Sequence, residues 1–357
     1  MPDARHDNPA PQTQHPPRRV DSGQGRHGGQ AGEILALAYR YRVYLLAAAI
    51  FAVMGAIAPN FATVGNGAAV LKAAATNLLA AAGFTIVMIS GQLDLSVGSA
   101  MTLGGMMAIG LQPQLGVAGS FVAALLAGLV LGLINGLLVA KARINSFIVT
   151  LGTMIVVQNA VFIYCGGGTI PAATFDVQDV LQRPLVAGLT LQILIPFILA
   201  ALLAVVLRRT PIGHGFYLLG GNPQTAWYSG LAVNRYVIGA FALSGMLSTL
   251  GGAVVAMSEA NANPTLGDSS LMTIVAAVII GGTSMQGGKG SLMGTAVALV
   301  ALAALVNGLS CRGEGYEVQL MAGGLVLASI ILYDAYALHR REKTRGQRKD
   351  LLKELHE

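Results

Sequence analysis

Charge is scarce in this chain. Asp, Glu, Lys and Arg make up 11% of its 357 residues, against about 25% in soluble domains. Hydrophobic residues make up 54%, and the mean hydropathy is +0.65. A water-soluble fold of this length cannot hide so much apolar surface, which excludes a soluble enzyme and points to a polytopic membrane protein. Cysteine is scarcer still. Cys165 and Cys311 lie in or beside apolar runs with no CxxC, so no zinc or dithiol site is expected. Five of the six histidines (His6, His15, His27, His339 and His356) fall in polar ends, and His214 falls in a loop, so no metal cluster is expected. Nucleic-acid binding calls for a basic stripe with aromatic platforms. Here six basic residues lie in 1–42 and seven in 339–357, without such platforms. These ends read as juxtamembrane anchors, which makes membrane lipid an expected partner and nucleic acid not.

What is present is a series of apolar runs long enough to span a bilayer. They predict an all-α polytopic fold of about ten helices, near 43–59, 69–90, 97–111, 116–140, 147–165, 188–207, 235–257, 270–281, 290–311 and 317–338. The third and eighth are short, and each abuts a Gly-rich break, GQLDLSVGS (91–99) or GGTSMQGGKGS (281–291). Irregular backbone at such a depth has to be buried in protein or line a cavity. The two breaks resemble each other, which is consistent with an internal duplication or with two independent tight turns.

Basic residues of short loops set orientation. Arg40 and Arg42, Lys141 and Arg143, Arg208 and Arg209, and Arg340, Arg341 and Lys343 all fall on one side of a ten-span chain, together with Lys289. That side is read as cytoplasmic, with both termini there; Lys72 and Arg183 are the exceptions. The organisation expected is a disordered cytoplasmic tail (1–42), a membrane domain (43–338) and a basic cytoplasmic tail (339–357). No apolar stretch begins before about residue 43, so the first helix is read as a retained anchor and not as a signal peptide.

The second break imitates a phosphate-binding loop, G-x-x-x-x-G-K-[S/T]. Lys289 does follow Gly288, but Thr283 stands where the first glycine belongs, and Gly290 stands where a magnesium-binding hydroxyl belongs. The flanks are apolar helices rather than a soluble strand and helix, so a tight turn is expected and no nucleotide. Gly128, Gly132 and Gly136 lie on one face of a helix, where another backbone can approach, either within the subunit or at a dimer seam. Asp94 is the notable ionisable residue near the membrane interior. A carboxylate there is a functional candidate by default, yet its place at the head of a helical run also suits an N-cap. With so few ionisable residues in the spans, a proton relay is not expected, and the substrate reads as neutral.

Two loops stand out on the outer side. GGGTIPAATFDVQDVLQRP (166–184) carries Phe175 and Asp176, and SEANANPTLGDSS (258–270) carries Glu259 and Asp268. They suit plain connectors or a docking face for an extracytoplasmic partner. On the inner side, RRTPIGHGFYLLGGNPQTAWYSGLAVNR (208–235) is too polar to span and too long for a simple connector. Asn222-Pro223 suits a helix start, with proline in the first position, and Gly230 suits its end. The short helix predicted between them carries Trp227 and Tyr228, as an interfacial anchor or as a lever that docks in another protein's groove.

SGQLDLSVGS, INGLLVAKARINSFIVTLGTM, TPIGHGFYLLGGNPQTAWYSGLAVNR and IVAAVIIGGTSMQGGKGSLMGT occur in that order. With them the chain resembles, from about residue 55 to 338, the permease subunits of bacterial ABC importers for ribose and related monosaccharides, within the wider branched-chain amino acid and sugar permease group. The resemblance implies a protein of the bacterial inner membrane, paired as a homodimer or as a heterodimer with a related permease. It further implies ABC ATPase subunits beneath and a sugar-binding protein outside. It implies an ATPase-contacting loop at Gly221, Asn222, Pro223, Gln224, Thr225, Trp227, Tyr228 and Gly230, and a path or gate at Gln92, Asp94, Ser96, Thr283, Ser284 and Gln286. Neither catalytic chemistry nor a cofactor is implied for this chain, since ATP is bound by a partner. Two departures stand out. Gln224 replaces the family's usual acid after GGNP, and Gly91-Gln92-Leu93-Asp94 replaces its Gly-Ile-Asp. An ion-coupled secondary carrier of a small neutral solute is the alternative reading, and a membrane scaffold a third.

Overall fold

The computed structural model describes residues 41–185 and 188–326, with 328, 329 and 332 besides. Both tail assignments fall almost wholly outside the described residues. Residues 1–42 separate as one unit from 43–357, and the second unit holds the helical bundle. Its helices are α1 (Arg42–Ile57), α2 (Val64–Ile89), α3 (Val97–Gly110), α4 (Gln112–Ala140) and α5 (Ser146–Cys165). After strand β1 (Ile170–Pro171) come α6 (Asp176–Gln182), α7 (Leu191–Arg209), α8 (Pro211–Gly221), α9 (Pro223–Tyr228) and α10 (Val233–Glu259). Strand β2 (Asn261–Ala262), α11 (Leu266–Ile280) and α12 (Leu292–Cys311) follow. Residues 316–326 are also helical, at the start of the tenth expected span.

Six of these helices, α2, α4, α5, α7, α10 and α12, are long and apolar enough to cross a membrane; α1, α3 and α11 are apolar but shorter. At 1.5 Å per residue, the 14 residues of α3 reach roughly 21 Å, short of a hydrocarbon core of about 30 Å. The sequence reading counts α1, α3 and α11 as spans.

Helix ends follow local chemistry. Thr63 caps α2 by accepting a hydrogen bond from Asn66 N, and Asn145 caps α5 by accepting one from Phe147 N at 2.9 Å. Gly166, in the left-handed region, ends α5. The bundle is centred on α10, which packs against α4, α3 and α2. Small residues make these approaches possible, as is expected where lipid removes the hydrophobic drive for helices to associate. The face of α4 bearing Gly128, Gly132 and Gly136 lies against Gly245, Phe241 and Ile238 of α10, so within one chain that face is already occupied by a neighbouring helix. By contrast, α5 is mostly uncovered, with 17% of its apolar window buried.

The segments between helices gather at two ends. At one end β1 pairs antiparallel with β2, Ile170 opposite Ala262 and Pro171 opposite Asn261. This joins the two long loops that the sequence places on one side of the membrane. At the other end the first break is hydrogen-bonded to the head of α5, and the second break to the end of α2 and to Arg208 at the end of α7.

Candidate functional site

The site is built where three glycine-rich segments meet. Each break closes its preceding helix in the same way. Gly91 N donates to Met88 O and Gln92 N to Val87 O; Gly282 N donates to Ile279 O and Thr283 N to Val278 O. Gly91 (φ +78°) and Gly282 (φ +89°) supply the left-handed residue that this closure demands. The breaks then diverge. The second turns again at Gly287 and Gly288, both at positive φ, and Gly288 N donates to Ile89 O at 2.8 Å. The second break thus hydrogen-bonds to the end of the helix that precedes the first.

The third segment is α8. Thr210 caps it by accepting from Gly213 N, with Pro211 in its first turn. It ends at Gly220-Gly221, against the two breaks. A Cβ on Gly220 would overlap Ile89 O and Gly288 N; one on Gly287 would lie 2.7 Å from Gly91 Cα, and one on Gly288 2.6 Å from Gly221 Cα. Backbone meets backbone here with no flexible side chain between. Tyr217 fixes the outer edge, its hydroxyl donating to Gly290 O at 3.2 Å. Burial raises the pKa of that phenol, and the Arg208 charge opposes the shift.

The expected short helix follows immediately as α9. Asn222 accepts from Gln224 N (2.9 Å) and Thr225 N (3.0 Å), Pro223 takes the first position, and Gly230 at φ +81° ends it. Ala226 is fully buried and seats the helix. Trp227 and Tyr228 face away, 66% and 80% exposed, with their rings 5.0 Å apart at 65°. Two large aromatics are thus held outward on a short helix that directly follows the close-packed end of α8.

Asp94 corrects the expectation of a helix cap. Helix α3 begins at Val97, with Ser96 in the cap position. Asp94 Oδ1 accepts from Ser96 N (3.0 Å) and from the Ser96 hydroxyl, while Oδ2 accepts from Ser244 Oγ of α10 at 2.7 Å. Asn135 of α4 donates to Ser96 Oγ (3.0 Å), and Thr153 of α5 donates to Asn135 Oδ1 (2.7 Å). The carboxylate therefore ties the break to α10 directly and, through Ser96, to α4 and α5. Its neighbours Leu93 N and Leu95 N donate to Ser146 Oγ and Thr150 Oγ1 of α5. Asp94 is the only ionisable residue buried among the described residues.

Asp94→Ala leaves the Ser96 and Ser244 groups without their acceptor, at a cost of about 1–3 kcal/mol. Asp94→Asn keeps one acceptor and offers the hydroxyls a donor. In mild detergent, Asp94→Ala is expected to lower the unfolding midpoint by several degrees and Asp94→Asn by less than half of that. Equal midpoints for the two variants would show that the carboxylate holds nothing together.

The remaining expected site residues are spread over this junction. Gln92 is half-buried, Thr283 is buried with its hydroxyl unpartnered among the described residues, Ser284 is half-buried, and Gln286 is exposed. At the opposite end, Phe175 and Glu259 are exposed, Asp176 opens α6, and Asp268 in the first turn of α11 accepts from Gln158 at 3.4 Å. The strand pair brings their two loops together.

Residues 66–332 match the family model described as the permease component of the branched-chain amino acid transport system. The chain is 34% identical over 299 residues to the ribose import permease protein RbsC of Haemophilus influenzae, covering 83% of this chain and 93% of that protein. It is 33% identical to the protein of that name from Bacillus subtilis, covering 77% and 86% respectively. To the D-allose transport system permease protein AlsC of Escherichia coli it is 29% identical, covering 82% and 91%. No solved structure matches it significantly.

Proposed function

The chain belongs to the branched-chain amino acid transport system / permease component family, and on that premise we propose how it works. It is a transmembrane subunit of a sugar ABC importer, a multi-pass protein of the bacterial inner membrane, and a separate subunit hydrolyses ATP. An ABC ATPase and an extracytoplasmic binding protein are its partners. The substrate we assign is a neutral monosaccharide or related polyol. Relatives named for ribose and allose support that class, and so does the fact that the one buried ionisable group among the described residues, Asp94, is occupied by three hydrogen bonds. A proton relay needs titratable groups in series, and the described residues hold none.

The observation that carries the coupling mechanism is the mounting of α9 on the end of α8, whose Gly220 packs against the two breaks. An ATPase that closes on nucleotide pushes on α9. The backbone junction at Gly220, Gly287 and Gly91 passes that displacement to the ends of α2 and α11 and the starts of α3 and α12. Gln92, Ser96, Thr283, Ser284 and Gln286 then sit where the path opens or shuts. A second permease copy completes that path, and the uncovered α5 is the helix most in need of a neighbour. The binding protein docks at the joined outer loops, with Phe175, Asp176, Glu259 and Asp268 as contacts.

This scheme requires ten spans with both termini inside, so that α9 and the strand pair lie on opposite sides. In a background of Cys165→Ala and Cys311→Ala, Ser269→Cys is expected to react with an impermeant thiol reagent added to whole cells. Gln224→Cys is expected to react only after permeabilisation. The reverse pattern would put α9 out of reach of any cytoplasmic ATPase and end the proposal.

A further inference from the structure

Away from the junction, α1, α7 and α12 enclose a lateral crevice of about 440 Å³. Small-ligand sites commonly occupy about 300–1,000 Å³ and fix their ligand with a few placed polar groups. This crevice has no polar side chain in its lining. Ala47 and Phe51 form one wall, Phe197 and Ala201 the second, Met293 and Val297 the third. The hollow exists because alanines face one another across three helices, so a sugar has nothing to bond to here, whereas a hydrocarbon chain restores the dispersion contacts that an empty gap forfeits.

One end of the crevice is cationic. Its lining begins at Leu292 and Met293, directly after Ser291, and Arg208 Nη2 donates to Ser291 Oγ at 3.1 Å. Arg208 and Arg209 form the last turn of α7, both exposed, and neither meets a carboxylate among the described residues. From Ala201 to Arg208 is seven residues, roughly 10 Å of helix, which suits the span from the upper part of an acyl chain to its phosphate. Basic pockets between membrane helices on the cytoplasmic side bind anionic headgroups.

We propose that this crevice is a binding site for an anionic phospholipid, its phosphate held by Arg208 and Arg209 and one acyl chain lying between α1, α7 and α12. The inference rests on the membrane location of the chain and is independent of which solute is carried. Because Ser291 caps α12, accepting from Gly294 N at 3.2 Å, the lipid would contact the helix that leaves the second break, next to the proposed gate.

The test uses the full-length protein in nanodiscs of phosphatidylglycerol or of phosphatidylcholine, released into mild detergent and weighed by native mass spectrometry. Retained phosphatidylglycerol is expected on the wild type and no retained phosphatidylcholine. Each arginine is worth about fivefold in binding, so Arg208→Gln with Arg209→Gln is expected to lower retention about twenty-five-fold. Ala201→Phe fills the crevice from an exposed position without altering charge, and it is expected to displace the lipid while the protein stays folded. The proposal is overturned if the two lipids are retained equally, if Ala201→Phe keeps wild-type retention, or if Ala201→Phe splits a dimer that carries no lipid. The last result would mark the crevice as a seat for a second copy.

Discussion

Gly220→Val is expected to abolish transport and to lower the unfolding midpoint, whereas alanine at the next residue is expected to leave the midpoint in place. The contrast follows from what each position faces. A Cβ at Gly220 runs into Ile89 O and Gly288 N, both backbone, so room is made only by separating α8 from the two breaks. Overpacking a tight site costs about 1–3 kcal/mol, and here the displaced atoms include Ile89 O, which accepts from Gly288 N. The expected loss of stability is at the top of that range, at most about 6–12 °C at the roughly 2–4 °C per kcal/mol that holds for domains of about 150–250 residues. Gly221 has no atom within 4 Å of its Cβ direction and no positive φ. Gly221→Ala is therefore expected to leave the midpoint unchanged or to raise it slightly, by about 0.4–1 kcal/mol, through the unfolded state. Thermal unfolding and sugar uptake of the two variants side by side decide the matter. A Gly220→Val protein with wild-type midpoint and uptake would show that the three segments do not form one rigid junction.

The second large effect is expected at α9. Aromatic anchors contribute about 2 kcal/mol or more each at protein contacts, so Trp227→Ala with Tyr228→Ala is expected to weaken ATPase capture several hundred-fold. Both side chains project into solvent, and Ala226 rather than either of them seats the helix. The double variant should therefore insert, fold and accumulate as the wild type does. Copurification of the ATPase and its substrate-stimulated hydrolysis are the measurements. The rival role, anchoring at the membrane interface, predicts a lower yield of permease with the ATPase bound as before. Wild-type capture and hydrolysis in the double variant would remove α9 from the coupling mechanism.

The sequence carries much of this account but not its centre. Long apolar runs announce α2, α4, α5, α7, α10 and α12, because burial in lipid leaves a signal twenty residues long. Asn222-Pro223 and Gly230 announce α9 because caps and left-handed residues are local chemistry. Helix α8 is missed: PIGHGFYLLGG reads as loop, although Thr210-Pro211 and the Gly-Gly pair are its start and stop signals. The strand pair is missed because two residues on each side carry no periodicity. Asp94 is read as a cap since its neighbours in sequence invite that. Its bond to Ser244, 150 residues away, and the relay through Ser96 to Asn135 and Thr153 are set by packing. The polar residues inside apolar runs at 135, 153 and 244 were the available hint. The glycines at 91, 220, 287 and 288 are each visible as turn residues, but their convergence is a property of the fold alone.

The claim on which all this depends is that ATP, hydrolysed by another chain, drives solute through this one. Proteoliposomes containing the permease and its cognate ATPase, with its sugar-binding protein outside, measure it directly. Accumulation of labelled sugar is predicted to require ATP in the compartment that holds the ATPase, to stop when the ATPase is left out, and to be indifferent to a protonophore. Uptake that proceeds without the ATPase on an imposed proton or sodium gradient, and collapses with that gradient, would contradict the account and make the chain an ion-coupled carrier.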